Sequence, residues 1–329
     1  MNEQSFVDRR ELDWRRLASL CDAADSSLKR LKPEELREFI RLYRRVSTDL
    51  AVARTQSTNI PLVSHLNDLL GRAYGILYRS PRKRIGATIQ EGVTLAVQTV
   101  RRNKWFMLTS AAIFFGSALF IFNLMNWVPA VRDQLIPPGT DKLFDAWKKG
   151  SFEQHSGSES GMMAAFYASN NPKTAIITGA VGAGSFGIVS VYLLFENGAM
   201  LGALAHEVAP VGKLGFLFSS ISPHGVPELS GIVVAGGCGL LLAYALINPG
   251  RRRRADALRL VGKDAIVLLS TSVVLMFIAA PIEGFFSFQP AIPQGIKVAV
   301  ACVEFCAWAT LWTFFARDPA IEKHPLAKE

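Results

Sequence analysis

The sequence predicts an all-α membrane protein: a polytopic helix bundle of about six spans, one of them broken, preceded by an N-terminal cytoplasmic helical bundle. Half of the 329 residues are hydrophobic, and the mean hydropathy is +0.24. Long apolar runs, which require lipid or a large core, all follow residue 104. Residues 1–104 contain 20 of the 36 Lys and Arg and 12 of the 27 Asp and Glu, a net charge of +8. This composition excludes a uniformly soluble enzyme and a disordered chain. Because the basic segment adjoins an apolar run, a lipid surface is favoured over nucleic acid as its partner.

Residues 1–80 are predicted to form a bundle of three amphipathic helices. Apolar residues recur at three- and four-residue steps from Leu17 to Leu31, as on one face of a helix. Pro33 is favoured at a first helical turn and predicts where the second helix begins. Asn59 and Pro61 separate the second helix from the third. Three such helices with short links favour an antiparallel packing.

Basic residues at the start of the apolar part predict the topology. Residues 81–104 are predicted to form a basic elbow helix on the membrane surface, and the apolar run from Trp105 to Trp127 is long enough to cross. The positive-inside rule then predicts that both termini are cytoplasmic. The predicted domains are a transmembrane domain at 105–316 with an outside loop at 128–173, and a cytoplasmic tail at 317–329.

The later spans are predicted at about 174–195, 227–248, 264–283 and 298–316, and residues 199–222 supply the remaining crossing. We expect that crossing to be broken and shielded from lipid, because charged residues inside a span are costly. It contains His206, Glu207 and Lys213 around Pro210 and Gly212. The alternative is a shallow hairpin of 199–248 with its tip at 223–227.

Small residues recur every four positions in two of these segments and predict close helix packing. They serve either packing inside the bundle or a dimer face. The two rows are Gly179, Ala183 and Gly187, and Gly231, Ala235 and Gly239.

The predicted topology gathers four ionisable residues near the outer leaflet, and these form the candidate polar membrane site. They are His224, Glu228, Glu283 and Glu304. An ionisable residue inside a membrane requires a partner or water, so it is a functional candidate. The alternatives are a cation or proton site or polar groove, a set of helix caps that hydrogen-bond one another, and a catalytic site. The sequence leaves the protonation states open.

Catalytic, cofactor and metal motifs are not found in the sequence. His206-Glu207 lacks the second histidine of a zinc protease, because Pro210 occupies that position. Phosphate-binding and dinucleotide-binding patterns are absent, and the cysteines show no zinc spacing. We therefore predict a protein that is not an enzyme and uses no cofactor, and an intramembrane hydrolase is disfavoured.

The chain resembles the stage II sporulation protein M family of bacterial integral membrane proteins. The resemblance depends on an ordered set of short motifs: Asn170-Asn171, Glu196-Asn197-Gly198, Leu201-Gly202-Ala203, Pro223-His224-Gly225 with Glu228-Leu229, Pro249-Gly250, and Ala280 to Phe285. Non-sporulating members also resemble the N-terminal part, through Leu42-Tyr43-Arg44, Asp49-Leu50-Ala51, Ala53-Arg54-Thr55, Leu66-Asn67 and Tyr78-Arg79.

The resemblance implies a multi-pass protein of the bacterial inner membrane, in a family without an established enzymatic activity. It implies cell-wall enzymes as partners in endospore formers, and MoxR-type AAA+ ATPases and von Willebrand A-type proteins elsewhere. The long cytoplasmic extension favours the second context. Two hypotheses follow: a membrane organiser whose bundle docks a soluble partner, or a transporter or channel that uses the groove at His224, Glu228 and Glu283.

Overall fold

The computed structural model describes residues 3–24, 28–78, 85–136 and 144–318, and the regular secondary structure of these segments is helical. It divides into two compact units, Met1–Ile85 and Gly86–Glu329. The predicted basic cluster at 82–84 and most of the tail at 317–329 lie outside the described residues. The helices are α1 Glu3–Ala24, α2 Pro33–Gln56, α3 Ile60–Leu77, α4 Ile85–Arg102, α5 Lys104–Trp127, α6 Arg132–Leu135, α7 Asp145–Lys149, α8 Gly157–Ile176, α9 Gly182–Gly184, α10 Ile188–Val208, α11 Leu214–Ile247, α12 Arg254–Ile282 and α13 Gln294–Phe314.

The first unit is a three-helix bundle with a hydrophobic core of its own. Helix α2 begins at Pro33, as predicted, and Asn59 caps α3 by accepting a hydrogen bond from the Leu62 amide at 3.0 Å. The apolar pattern from Leu17 to Leu31 does not form one helix: α1 spans Glu3–Ala24, and Leu28–Arg30 forms a separate 3₁₀ turn. The core of the three-helix bundle contains Phe6, Trp14, Leu17, Leu20, Phe39, Leu42, Val46, Leu66 and Leu69.

Buried polar contacts fix the register of this bundle. Asp49 is buried in α2, where it accepts a hydrogen bond from Trp14 Nε1 at 2.9 Å and lies 3.4 Å from Arg10 Nε. Glu3 accepts hydrogen bonds from Ser57 Oγ at 2.6 Å and Asn59 Nδ2 at 2.7 Å. The start of α1 is therefore hydrogen-bonded to the residues just before α3. Helices α1 and α3 run parallel to each other, and α2 runs antiparallel to both.

The second unit is a bundle of long apolar helices, and the protein is a membrane protein. Five described helical segments are long and apolar enough to cross a bilayer: Lys104–Trp127, Ile188–Val208, Leu214–Ile247, Arg254–Ser287 and Gln294–Phe314. Helix α11 lies at the centre, since it packs against α5, α10, α12 and α13.

The structure corrects the predicted second span at 174–195. A turn at Ser185–Gly187 divides that stretch, where Phe186 and Gly187 have φ angles of 52° and 91°. The helix before the turn is α8, continued by a π-helical segment at Ile177–Val181 and by α9. The predicted outside loop at 128–173 contains a long helix, since α8 begins at a capping box formed by Ser156 and Glu159. In α8 Ser160 is buried and Tyr167 and Asn171 are half-buried, whereas most of its other polar residues are exposed.

The structure also corrects the predicted turn at 223–227. Helix α11 runs without interruption through Pro223 and Pro227, because transmembrane helices tolerate proline where neighbouring groups satisfy the backbone. The expected break within 199–222 is present, since α10 ends at Val208 and α11 begins at Leu214.

The predicted small-residue rows pack inside the chain. A Cβ at Gly231 would lie 2.9 Å from Met276 Cε, and one at Gly179 would lie 2.9 Å from Leu269 Cδ1. At Gly187 it would lie 3.1 Å from Ala243 Cβ, and at Gly239 it would lie 2.6 Å from the Thr178 carbonyl oxygen. Interior packing therefore accounts for these positions.

Candidate functional site

Three of the four predicted site residues meet inside the second unit. His224 and Glu228 lie one turn apart on α11, and Glu283 begins the π-helical segment Glu283–Ser287 that continues α12. His224 Nε2 lies 3.9 Å from Glu228 Oε2 and 4.0 Å from Glu283 Oε1. One polar atom from each residue lies within 4.8 Å of the others. The cluster is about 15 Å along α11 from its first residue.

The imidazole is held by Ser287, a residue that the sequence analysis did not single out. Ser287 Oγ is 2.7 Å from His224 Nδ1, and both side chains are buried. When Nδ1 donates this hydrogen bond, Nε2 carries the lone pair and faces the two carboxyl groups. The π-helical segment supplies both Glu283 and Ser287, and such segments are frequent at functional sites.

Glu228 joins the cluster to a small polar chamber. Asn171 Nδ2 donates a hydrogen bond to Glu228 Oε1 at 3.1 Å, which leaves Oε2 turned toward His224. The chamber has a volume of about 60 Å³ and is lined by side chains that include Asn170, Asn197 and Glu228. This volume suits one or two water molecules.

Glu283 is buried, and its carboxyl group is within hydrogen-bonding range of Tyr167 and Asn171. Within the described part of the chain its Oε2 has no hydrogen-bond partner. Tyr167 of α8 lies beside both glutamates. Among the described residues, no lysine or arginine lies within 4.0 Å of the carboxyl group of Glu228 or Glu283.

Aromatic side chains cover the cluster on the side of the α7 segment. The Phe288 ring lies 5.3 Å from His224, with Trp147 5.7 Å and Phe152 5.1 Å from Phe288. Phe216 of α11 packs against Trp147 and Phe152. We call Trp147, Phe152, Phe216 and Phe288 the aromatic cover.

A buried ion network attaches the segment that carries Trp147 to α10. Glu207 accepts hydrogen bonds from Arg132 Nε at 2.7 Å and from Lys148 Nζ at 2.6 Å. The sequence analysis treated Glu207 only as a costly charge within a span. Its partners, α6 and α7, are short helices that hydropathy does not detect.

Glu304 does not join the cluster. It lies on α13, which packs against α11 and is mostly exposed, whereas the other three residues share the interface between α11 and α12. Glu304 Oε2 is nevertheless buried without a hydrogen-bond partner. Topology alone could not place Glu304 in the cluster, because the side of the membrane does not specify which helices are neighbours.

Comparison with protein-family models decides the family. The model described as Stage II sporulation protein M matches residues 105–288, more than half of the chain. The chain belongs to the stage II sporulation protein M family. A second model, described as a domain of unknown function (DUF8413), matches residues 4–79. Comparison with curated proteins and with solved structures finds no match.

The region matched to the stage II sporulation protein M family contains the whole cluster, and the motif residues have distinct positions in it. Asn170, Asn171 and Asn197 line the polar chamber. Glu196 is exposed on α10. A Cβ at Gly198 would collide with the backbone of α5 at Phe114. His224 and Glu228 are four residues apart, a spacing that places both on one face of a helix. The sequence analysis did not use this spacing, because it placed the two residues in a turn.

Proposed function

We propose that this member of the stage II sporulation protein M family is a non-enzymatic membrane organiser. Its N-terminal bundle would dock a soluble cytoplasmic partner, and its transmembrane unit would anchor that partner in the inner membrane. The observation that carries the proposal is the independence of the first unit, which has its own core and its own polar contacts. Anchoring alone does not require such a module.

A pair of exposed tyrosines at the C-terminal end of α3 offers a docking surface. Tyr74 and Tyr78 stack with their ring centroids 4.5 Å apart, and they are 55% and 63% exposed. Gly71 and Gly75 flank them with no atom within 4 Å of where a Cβ would stand. Tyrosine is enriched at protein interfaces and among the residues that contribute most to binding. Residues 1–80 contain 14 Lys and Arg and 11 Asp and Glu, and this net charge of +3 favours a partner with an acidic surface.

Affinity capture from native membranes tests docking. Full-length chain, a Tyr74→Ser/Tyr78→Ser variant and a Leu12→Ser control would be compared, because Leu12 is 78% exposed on α1 of the same unit. We expect the double variant to lose a soluble partner that the control retains. From the family resemblance, a MoxR-type AAA+ ATPase is the partner to look for, with a von Willebrand A-type protein beside it. Equal recovery by both variants would contradict docking through α3.

We also propose six crossings with both termini in the cytoplasm, formed by α5, α8–α9, α10, α11, α12 and α13 in alternation. Contacts at the helix ends support this order. Arg102, the last residue of α4, pairs at 2.5 Å with Asp264, which lies in the half of α12 assigned to the cytoplasmic side. Arg132 pairs with Glu207, and Trp147 contacts Phe288, which joins ends assigned to the outer side.

A second candidate function is transport through the polar chamber. The observation that favours it is the contact of Glu228 with both the chamber and the cluster. Against it, the chamber is small, and a larger cavity of about 770 Å³ beside α11 has a predominantly apolar lining. Proteoliposomes with an internal pH-sensitive dye would test proton movement. Transport requires a flux that Glu228→Gln abolishes, whereas an organiser requires none.

A further inference from the structure

We propose that His224, Glu228 and Glu283 bind one divalent transition-metal cation of the zinc or manganese class inside the transmembrane unit. This inference goes beyond docking and does not depend on it. The sequence analysis predicted no metal site, since it placed His224 and Glu228 in a turn and Glu283 lies 55 residues further along the chain. Their assembly depends on the packing of α11 against the end of α12.

Each of the three side chains turns one possible ligand atom toward the same region. These atoms are His224 Nε2, Glu228 Oε2 and Glu283 Oε1, all within 4.8 Å of one another. A tetrahedral zinc ion, with bonds of about 2.0–2.2 Å, separates its ligand atoms by about 3.4 Å. The observed separations of 3.9 Å and 4.0 Å from the imidazole would therefore close by about half an ångström. The separation between the two glutamate oxygens is at most 4.8 Å and would close by up to about 1.4 Å, through rotation of the two side chains.

Hydrogen bonds orient two of the ligands as in known metal sites. A ligating histidine usually donates its other ring N–H to a nearby acceptor, which fixes the ring and its tautomer. Ser287 Oγ lies in that position at 2.7 Å from Nδ1. Asn171 holds one oxygen of Glu228 and leaves the other available. Ligands and supporting residues thus come from α8, α11 and the segment after α12.

The charge of the site favours a divalent cation. In their ionised form, Glu228 and Glu283 would bring two negative charges to a buried imidazole, and Glu283 is only 7% exposed. Unpaired buried carboxylates are costly, and the described residues provide no lysine or arginine next to either of them. Glu283 Oε2 is also buried without a hydrogen-bond partner. One divalent cation would balance both charges, and either oxygen of Glu283 could then bind it.

The ligand types narrow the identity of the ion. Magnesium and calcium prefer sites made of oxygen ligands, whereas imidazole suits zinc and other transition metals. One imidazole and two carboxylates leave a coordination position for water from the polar chamber. The aromatic cover limits access from the side of α7. The ion would tie α11 to the π-helical segment after α12, so its main effect would be on stability.

Calorimetric titration of the full-length chain in nanodiscs tests the proposal. After treatment with EDTA and its removal, ZnCl₂, MnCl₂ and MgCl₂ would be titrated into wild type, Glu283→Gln and Glu304→Gln. The last variant is the matched control, because Glu304 is a carboxyl group of the same unit outside the cluster. We expect one zinc or manganese ion per chain in wild type and Glu304→Gln, with no comparable binding of magnesium. Glu283→Gln should bind at least about a hundredfold more weakly.

The absence of zinc and manganese binding to wild type at up to about 1 mM would overturn the proposal, as would undiminished binding by Glu283→Gln. A stabilised Glu283→Gln variant together with a metal-free wild type would assign the site to protonated carboxyl groups instead. If Glu283→Gln does not fold, the visible spectrum of bound Co²⁺ would be compared between wild type and His224→Gln, and this comparison tests whether the imidazole is a ligand. Imidazole ligation requires that the two spectra differ, and identical spectra would also overturn the proposal.

Discussion

Replacing Glu207 with glutamine removes the charge that attaches the α6–α7 segment to α10. Glu207 is 7% exposed and accepts hydrogen bonds of 2.7 Å and 2.9 Å from Arg132 and one of 2.6 Å from Lys148. Breaking a buried ion pair typically costs about 3–5 kcal/mol. Arg132 and Lys148 are each about 30% exposed and can recover part of their hydration, so we expect a cost of about 2 kcal/mol.

This cost should appear as local opening rather than global unfolding. A local loss of about 2 kcal/mol corresponds to about 30-fold faster amide exchange. Hydrogen–deuterium exchange with mass spectrometry would measure it over Asp145–Lys149 and the following residues up to Phe152. Because Trp147 and Phe152 belong to the aromatic cover, the same change would expose the cluster around His224.

The matched control is Glu153→Gln, since Glu153 is an exposed carboxylate in the same segment. It should leave amide exchange unchanged. An increase of less than about threefold in Glu207→Gln, or an equal increase in both variants, would refute the conclusion that Glu207 holds the cover in place.

Three further predictions concern the first unit and the topology. The hydrogen bond from Arg16 holds the pKa of Glu38 below its ordinary value of 4.5. The ion pair therefore stabilises the bundle fully above pH 4.5, and this stabilisation is lost as the pH falls through the lower pKa of the folded state. Thermal melts of fragment 1–85 between pH 7 and pH 3 should show a smaller loss of stability in acid for Glu38→Gln than for wild type. Asp49→Ala leaves the buried Trp14 N–H without an acceptor and should lower the free energy of unfolding by about 2 kcal/mol. This corresponds to a fall of about 8–16 °C in the melting temperature of the same fragment. An unchanged melting temperature would contradict the assigned contact. A single cysteine at Ser151 in a cysteine-free chain should react with an impermeant thiol reagent from outside the cell, and protection there with reaction at an N-terminal position would reverse the topology.

Local sequence signals predicted the first unit well because they act over a few residues. Pro33 begins a helix since its missing N–H is not needed there, and Asn59 caps the next helix with its own side chain. The first span was also recognisable, because Trp105 to Trp127 is continuously apolar. Each of these signals is independent of the rest of the fold.

Hydropathy failed where side chains face the protein instead of lipid. Helix α8 presents Tyr167 and Asn171 toward the cluster, so its composition is typical of a loop although it packs as a helix. The turn at Phe186 and Gly187 lies inside an apolar stretch and has no local polar signal. Pro223 and Pro227 predicted a turn because the sequence does not indicate that neighbouring helices can support a proline-containing span.

The candidate site was predicted in part for the same reason. Topology brought His224, Glu228 and Glu283 to one side of the membrane, and the structure brings them into one cluster. The same argument included Glu304, which lies on a helix that packs elsewhere on α11. Ser287 was missed, although its position four residues after Glu283 indicates the same helix face.

Gly198 provides a last prediction, because the contact between α5 and α10 depends on the absence of its side chain. A Cβ at Gly198 would collide with the Phe114 carbonyl group and Ser117 Oγ, and a Cβ at Gly202 would collide with the backbone of Ala118. Glycines four residues apart permit close approach of helices in lipid, where apolar area does not drive association. Gly198→Ala should therefore separate the helices and cost about 1–3 kcal/mol.

The matched control is Gly116→Ala on α5, since a Cβ at Gly116 would meet no atom within 4 Å. Thermal unfolding in detergent, followed by the fraction of chain that remains monodisperse, would compare the two variants. We expect Gly198→Ala to unfold at a lower temperature and Gly116→Ala to be unchanged. If both were equally stable, α10 would have room to move away from α5, and the close approach would not be what selects glycine at this family motif position. The partner of Gly198 and Gly202 lies within the chain, so their spacing does not by itself indicate a dimer.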